Sequence, residues 1–420
     1  HDFRPHYAQL ALLAERFPNV PRIALTATAD APTRKDIIER LHLGGGKTFL
    51  GGFDRPNIHY SIELKDNPKQ QLLRFIRDKH PGECGIVYCL SRKAVDDTAE
   101  WLRGEGLNAL AYHAGMTAED RAGNQQKFLR DDAIIMVATV AFGMGIDRPD
   151  VRFVAHMTIP KNIEGYYQET GRAGRDGLPA DAMMLYNMGD TAMLRTFIAN
   201  GEAPENQKRI EHHKLDALLG LCETMRCRRQ VMLDYFGDTH EPCNRCDTCQ
   251  SPPEGFDATI AAQKAISCVW RTGQRFGVNY LIDVLLGKSN ARIEANGHDK
   301  ISTFGIGGEY SKEEWQSILR QLIAQNLLTV DVTGYGGLSI TPQGHEFLKN
   351  KHALRLRKAA SRKSRVTPPV AAKPAGDALD VDQALFSALK ARRMEIARTQ
   401  SLPPYVIFHD KTLLEMAIRM

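Results

Sequence analysis

Between residues 84 and 200, short apolar runs alternate with amphipathic stretches. GIVYCL (85–90), AIIMVAT (133–139), FVAHMTI (153–159) and AMMLY (182–186) read as buried strands, with 92–103 as an intervening helix. That rhythm predicts an α/β unit with a mostly parallel sheet. Upstream, RIALTATAD (22–30) reads as a strand running into a turn. Asp30 is placed to cap the following helix, Pro32 sits in its first turn, and Ile37, Ile38 and Leu41 form its apolar stripe. Gly44 is the expected stop. From 205 to 236 the period is helical, and SPPEGF (251–256) reads as a linker. Residues 257–348 predict helices followed by a hairpin, LLTVDVTGYGGLSIT, with a Gly-rich turn at 334–337. A basic, Pro-containing stretch (351–376) reads as a second linker, and 379–399 as a helix.

The length of 420 residues suggests two to four domains, and the composition is that of a globular protein. No run reaches the roughly eighteen apolar residues of a membrane span, and there is no signal-peptide pattern. His1-Asp2-Phe3-Arg4 reads like the middle of a loop, so a piece of a longer chain is expected. The net charge of +5 is unevenly placed, because nine Lys or Arg and no Asp or Glu lie between Lys349 and Lys373. Such a block suits a polyanion partner, and equally a solvated linker.

Candidate chemistry begins with two decoys. Gly46-Lys47-Thr48 ends like a phosphate loop, but Leu41 stands where the first Gly belongs, and a helix precedes it. Gly287-Lys288-Ser289 fails likewise, with Ile282 in the Gly position. No Asp-Glu dipeptide occurs anywhere, so the acidic pair of a nucleotide-hydrolysing motor is absent from this chain. Yet YYQETGRAGRDG (166–177) presents Arg172 and Arg175 among Gly171, Gly174 and Gly177. Two guanidinium groups on a Gly-relaxed segment suit a γ-phosphate; the bland alternative is a surface turn. VATVAFGMGIDRPDV (137–151) follows a strand with Thr139, which with exposed N–H groups can hold a nucleic-acid phosphate, and with Asp147, which can take a ribose hydroxyl. ALTATA (24–29) is a strand end suited to linking two lobes. Cys243-x2-Cys246-x2-Cys249 supplies three thiolates for tetrahedral Zn²⁺, and Cys227 or Cys222 a fourth. Cys84, Cys89 and Cys268 sit in apolar runs and read as core.

Taken together, ALTATA, FDRPNI (53–58), YCLSRK (88–93), YHAGM (112–116), ATVAFGMGIDRPDVRFV (138–154) and YYQETGRAGRDG resemble, in order and spacing, the later motifs of the RecQ family of superfamily 2 DNA helicases. The resemblance implies a RecA-like motor lobe with a parallel sheet, followed by a four-cysteine zinc-binding module, a winged-helix domain and a partial helical HRDC domain. Its boundaries would be 1–48 (end of the first lobe), 49–200 (second lobe), 201–256 (zinc module), 257–348 (winged helix), 349–378 (basic linker) and 379–420 (HRDC). It implies an ATP-dependent 3′-to-5′ DNA helicase of repair, recombination, replication and SOS response, with the Walker lysine and DExH box upstream, so that this chain alone would not hydrolyse ATP.

By the same resemblance, Arg175 and Arg172 form the arginine finger, Gln168 senses nucleotide, and Asp147 with Gly145 meets the ribose. Thr139, His113, Arg92, Arg55 and Tyr335 would contact DNA. The pattern CRRQVMLDYFG selects Cys227 as the fourth zinc ligand beside Cys243, Cys246 and Cys249. TFGIGGEYSKEEWQSILRQLIAQNLL (303–328) reads as a loop and then a helix with Trp315, Ile318, Leu319, Leu322 and Ile323 on one face, a candidate DNA-facing element, and Tyr335 is a candidate wedge. Expected partners are single-stranded, duplex and forked DNA and, through the winged helix, single-strand DNA-binding protein. The expected cofactors are one structural Zn²⁺ plus ATP and Mg²⁺, and the expected location is the bacterial cytoplasm near the nucleoid. A non-motor DNA-binding platform with the same modules is the alternative; a related RNA helicase is weaker, because a zinc module joined to a winged helix argues against it.

Overall fold

The computed structural model describes residues 9–26, 31–143, 147–330, 337–350, 352–359, 382–400 and 402–419. Gly145 and Tyr335 lie outside them, as do Asp30 and the Gly-rich turn of the expected hairpin except Gly337.

Six parallel strands form the main sheet: β1 (Ile58–Leu64), β2 (Gly85–Tyr88), β3 (Ala109–Tyr112), β4 (Ile135–Ala138), β5 (Phe153–His156) and β6 (Ala180–Tyr186). Their order is β1-β6-β5-β2-β4-β3. Strands β2, β4 and β5 are buried at every position, which is why they read as unbroken apolar runs. Side chains alternate between two cores. Val87, Val137, Phe153 and Met183 face one; Ile86, Met136, Val154 and Ala182 lie on the opposite face, the first three with Phe128 and Phe142. Helices on both faces start on side-chain caps, with Asn67, Ser91, Thr117, Asn162 and Asn187 each accepting a backbone N–H.

Upstream of the sheet, the helix Ala31–Arg40 does not stop on Gly44. His42, at φ 52°, takes the left-handed position. Leu43 N–H donates to the Ile38 carbonyl (2.9 Å) and His42 N–H to the Glu39 carbonyl (3.2 Å), closing a Schellman cap two residues early. The expected phosphate-loop decoy that follows is an exposed turn entering extended chain. The second decoy is a helix end, with Ile282 fully buried and Gly287 at φ 68°.

After β6 come the helices Met188–Asn200, Glu205–Glu223 and Arg228–Tyr235, which pack under β1 and β6. A third core centres on Trp315 and gathers the helices Thr259–Arg271, Val278–Leu285 and Lys312–Ala324 with the antiparallel pair β8 (Leu328–Val330) and β9 (Leu338–Ile340). Two segments read as linkers turn out to be strands. Here β7 (Gly255–Asp257) pairs antiparallel with β10 (Arg355–Arg357), and Leu356 is fully buried in the third core. The linker reading fails because a three-residue ribbon with one inward side chain leaves almost no apolar period. The DNA-facing reading of Lys312–Ala324 also fails: Trp315, Ile318, Leu319, Leu322 and Ile323 are all core, and the residues exposed at its start include Glu313 and Glu314. The last two described segments, 382–400 and 402–419, are joined by Arg393, buried and bonded to Asp410 (2.7 Å) and to the Phe408 carbonyl (2.7 Å). Among the described residues, no helix is long and apolar enough to cross a membrane.

Candidate nucleotide and nucleic-acid site and the zinc centre

The parallel register sets the ends of β2, β3 and β4 level, with Tyr88, Tyr112 and Ala138 abreast. In open α/β sheets the carboxyl edge is where ligands bind. Arg92, His113 and Thr139 all sit there. Arg92 begins the helix Arg92–Gly104 and is exposed. Its stem lies over Gly115, where a Cβ would come within 3.0 Å of Arg92 Cδ and 3.2 Å of His113 Nδ1. Gly115 thus lets both side chains approach closely, and a Cβ there would push them a few tenths of an ångström away.

His113 is not available as a phosphate contact in this arrangement. It is buried, its Nδ1 accepts the Gly115 N–H (3.2 Å), and its Nε2 faces Asp96 (3.0 Å). The acceptor role at Nδ1 puts the proton on Nε2, so both ring nitrogens are engaged. Thr139 is half-buried, and its N–H already donates to the Tyr112 carbonyl (3.3 Å). The expected phosphate-binding N–H is thus committed, and the hydroxyl is what the residue can offer.

Arg172 and Arg175 follow the helix Ile163–Thr170. Arg172 donates to the Gly143 carbonyl, and a Cβ on Gly143 would come within 2.6 Å of its guanidinium. Arg175 is ion-paired to Asp147, whose side chain is 86% exposed. A pair so exposed contributes little to stability, so it can be exchanged for another anion. Gln168 is exposed on the same helix. The structure therefore brings Arg172, Arg175 and Asp147 together.

Arg55 differs from its expected role as a DNA contact. Its guanidinium donates to the carbonyls of Gly171 (3.0 Å), Ala173 (2.9 Å) and Gly174 (3.3 Å). Asn57 adds bonds to the carbonyls of Gly174 (2.7 Å) and Leu178 (2.9 Å). Gly174 sits at φ 58°, and a Cβ there would lie 2.4 Å from Asn57 Nδ2. The FDRPNI stretch thus clamps the arginine loop. Sequence reasoning also missed Glu169, which meets buried His156 (2.7 Å) beneath the loop; its place between two polar neighbours in QET gave no sign of burial.

The metal centre is closed. Sγ atoms of Cys227, Cys243, Cys246 and Cys249 all lie within 4.8 Å of one another. Cys246 and Cys227 are 3.8 Å apart, Cys243 and Cys249 4.0 Å. Tetrahedral Zn–S bonds of about 2.3 Å imply S···S near 3.8 Å, so the donor set fits zinc. Backbone N–H groups of Cys243 and Cys246 point at Cys227 Sγ and Cys243 Sγ (both 3.3 Å) and hold these sulfurs in place. Cys222 is not in the group; it is fully buried among Leu215, Leu218 and Leu219, and burial pushes its thiol up. Buried Arg228 ties the centre down, bonding Asp247 twice (2.9 and 3.1 Å), while Asp247 accepts the Ile62 N–H of β1 (3.0 Å).

A parallel sheet with helices on both faces and an arginine loop paired to an exposed carboxylate, joined to a closed four-thiolate module, defines a RecA-like motor lobe with a structural metal site. Comparison with known proteins agrees. Residues 67–177 match the helicase conserved C-terminal domain, 188–250 the RecQ zinc-binding domain, 252–365 the RQC domain and 382–420 the HRDC domain. The chain is 45% identical to the ATP-dependent DNA helicase RecQ of Haemophilus influenzae over 99% of its own length and 67% of that protein's. The corresponding figures for the helicases of that name are 45%, 99% and 66% in Pasteurella multocida, and 34%, 99% and 68% in Bacillus subtilis. The chain belongs to the RecQ family of ATP-dependent DNA helicases. It spans about two thirds of the length of these relatives.

Proposed function

We propose that this chain carries the second motor lobe and the DNA-gripping modules of an ATP-dependent DNA helicase that unwinds with 3′-to-5′ polarity in bacterial DNA repair and recombination. In this reading residues 1–48 belong to the first lobe, 49–200 to the second, 201–251 to the zinc module, 252–359 to the winged helix and 382–420 to the HRDC domain. The ribbon of β7 and β10 supports moving the winged-helix boundaries outward to include both strands.

Arg175, assisted by Arg172, completes an ATP site against the first lobe, Gln168 senses the nucleotide, and Asp147 with Gly145 meets the ribose. ATP with Mg²⁺ supplies the phosphoryl group transferred to water. Arg92 and the Thr139 hydroxyl contact the single strand, and His113 holds the Gly115 turn beneath them. The observation that carries the reading is the exposed Arg175–Asp147 pair beside Arg172, an arginine cluster poised to trade one anion for another. The winged helix, seated beside the zinc-loaded module, and the second lobe grip duplex at a fork, and exposed Ile260 and Trp270 offer single-strand DNA-binding protein apolar contacts.

The test uses a helicase in which this chain follows its first lobe. DNA-stimulated ATP hydrolysis with unwinding of 3′-tailed but not 5′-tailed duplex supports the proposal. Tight DNA binding with no hydrolysis would favour the platform reading instead.

A further inference from the structure

One carboxylate outside both sites joins four elements. Glu223 ends the helix Glu205–Glu223 and its side chain is 4% exposed. It accepts the Tyr186 hydroxyl from the end of β6 and the Arg320 Nε from the helix Lys312–Ala324. Its second oxygen accepts from Arg357 Nη2 on β10 (2.8 Å). Gln321 then locks β10, its Oε1 accepting the Arg357 N–H (2.7 Å) and its Nε2 donating to the Arg357 carbonyl (2.8 Å). The motor sheet, the zinc-module helix, the winged-helix core and the closing ribbon thus meet at one buried anion.

Among the described residues, the rest of the joint is mostly apolar packing of the helix Lys312–Ala324 along Glu205–Glu223, with Ala324 buried in the lobe core. Arg195 reaches Thr329 at 3.3 Å, and Met188 packs on the winged-helix core. Apolar contact is non-directional, whereas charge-assisted bonds to guanidinium planes set orientation. Two arginines also share the single carboxylate, so removing it leaves two buried cations facing each other, and breaking a buried pair is far worse than replacing all of it.

We propose that Glu223 is a positioning residue that fixes the winged helix relative to the second motor lobe, so that duplex held by the winged helix moves with the lobe and strokes of the motor become strand separation. The proposal rests on the helicase reading above. Its first measurement does not: with labels at exposed Glu100 and Lys300, the zinc-loaded chain is followed by single-molecule energy transfer without DNA.

The unsubstituted chain gives one narrow distance distribution. Glu223→Gln broadens it at unchanged zinc content, and the triple variant Glu223→Leu, Arg320→Leu, Arg357→Met, which keeps the joint packed but offers only non-directional apolar contact, leaves it broad. In the helicase containing this chain, Glu223→Gln lowers base pairs unwound per ATP by about tenfold or more, a coupling loss of roughly 1.4 kcal/mol. Single-strand-stimulated ATP turnover is retained, and the triple variant unwinds no better than Glu223→Gln. An unbroadened distribution in Glu223→Gln overturns the proposal. So does normal unwinding by a broadened variant, or loss of ATP turnover in parallel with unwinding. Absence of unwinding in the unsubstituted helicase instead defeats the reading on which it rests.

Discussion

Replacing Arg55 with Met separates a clamp from a DNA contact. The substitution keeps most of the stem and removes three donors, at 3.0, 2.9 and 3.3 Å from the carbonyls of Gly171, Ala173 and Gly174. A hydrogen bond from a charged group contributes about 1.5–3 kcal/mol when buried. Arg55 is half-buried and its third bond is long, so the lower end applies, and the loop loses roughly 2–4 kcal/mol against local opening. At about 1.4 kcal/mol per factor of ten, amide exchange over residues 170–178 should quicken roughly 30- to 700-fold. Hydrogen exchange read by peptide mass measures this without assuming that the whole chain unfolds in one step. The salt dependence of single-strand binding should stay as it was. If Arg55 instead neutralises a phosphate, exchange will be unchanged and the log–log salt slope will fall by about 0.7. That pattern would refute the clamp.

Zinc analysis of single mutants should show Cys227→Ser losing the metal and Cys222→Ser keeping it; since zinc in such modules contributes on the order of 10 kcal/mol, the first should also unfold the segment around Cys243–Cys249, and the reverse pattern would reassign the ligand. In a helicase with its first lobe, Arg175→Ala should lower ATP turnover by about 10³-fold or more, while nucleotide binding weakens far less because the charge develops in the transition state; an unchanged rate would shift the role to Arg172. Trp315→Ala should cost about 3–5 kcal/mol of winged-helix stability in chemical denaturation, and a stable variant with weakened DNA binding would return that helix to the DNA-facing role.

Much of the motor lobe was legible because parallel strands buried on both faces leave unbroken apolar runs, as at GIVY and IMVA. Cys243, Cys246 and Cys249 were legible because their spacing is local, whereas the residues alone left the fourth ligand open between Cys227 and Cys222 and only the resemblance chose Cys227. Arginines were harder. Arg55, Arg172 and Arg175 share a residue type, but only the fold shows that the first faces carbonyls more than a hundred residues away. His113 looks like a ligand in sequence and is held on both nitrogens in space. The apolar stripe of Lys312–Ala324 signals burial, and burial against its own domain gives the same period as burial against a partner. Strands β7 and β10 escaped notice because each is three residues long and its partner is about a hundred residues distant.

That short ribbon has an evolutionary consequence. Paired strands run about 4.8 Å apart, so the chain enters the winged helix at Gly255–Asp257 and leaves it at Arg355–Arg357 almost at one point. Everything between is a cassette: excised, it leaves ends that a two-residue turn can rejoin, and the motor lobe and zinc module keep their threading. Exchange of this domain between relatives needs cuts at only two adjacent strands. What limits the exchange is the compatibility of a graft with the surface left on the body, the face of the helix Glu205–Glu223 together with Tyr186, Met188, Arg195 and Glu223. A lineage can therefore replace this domain as one block of sequence, without redesigning the motor lobe.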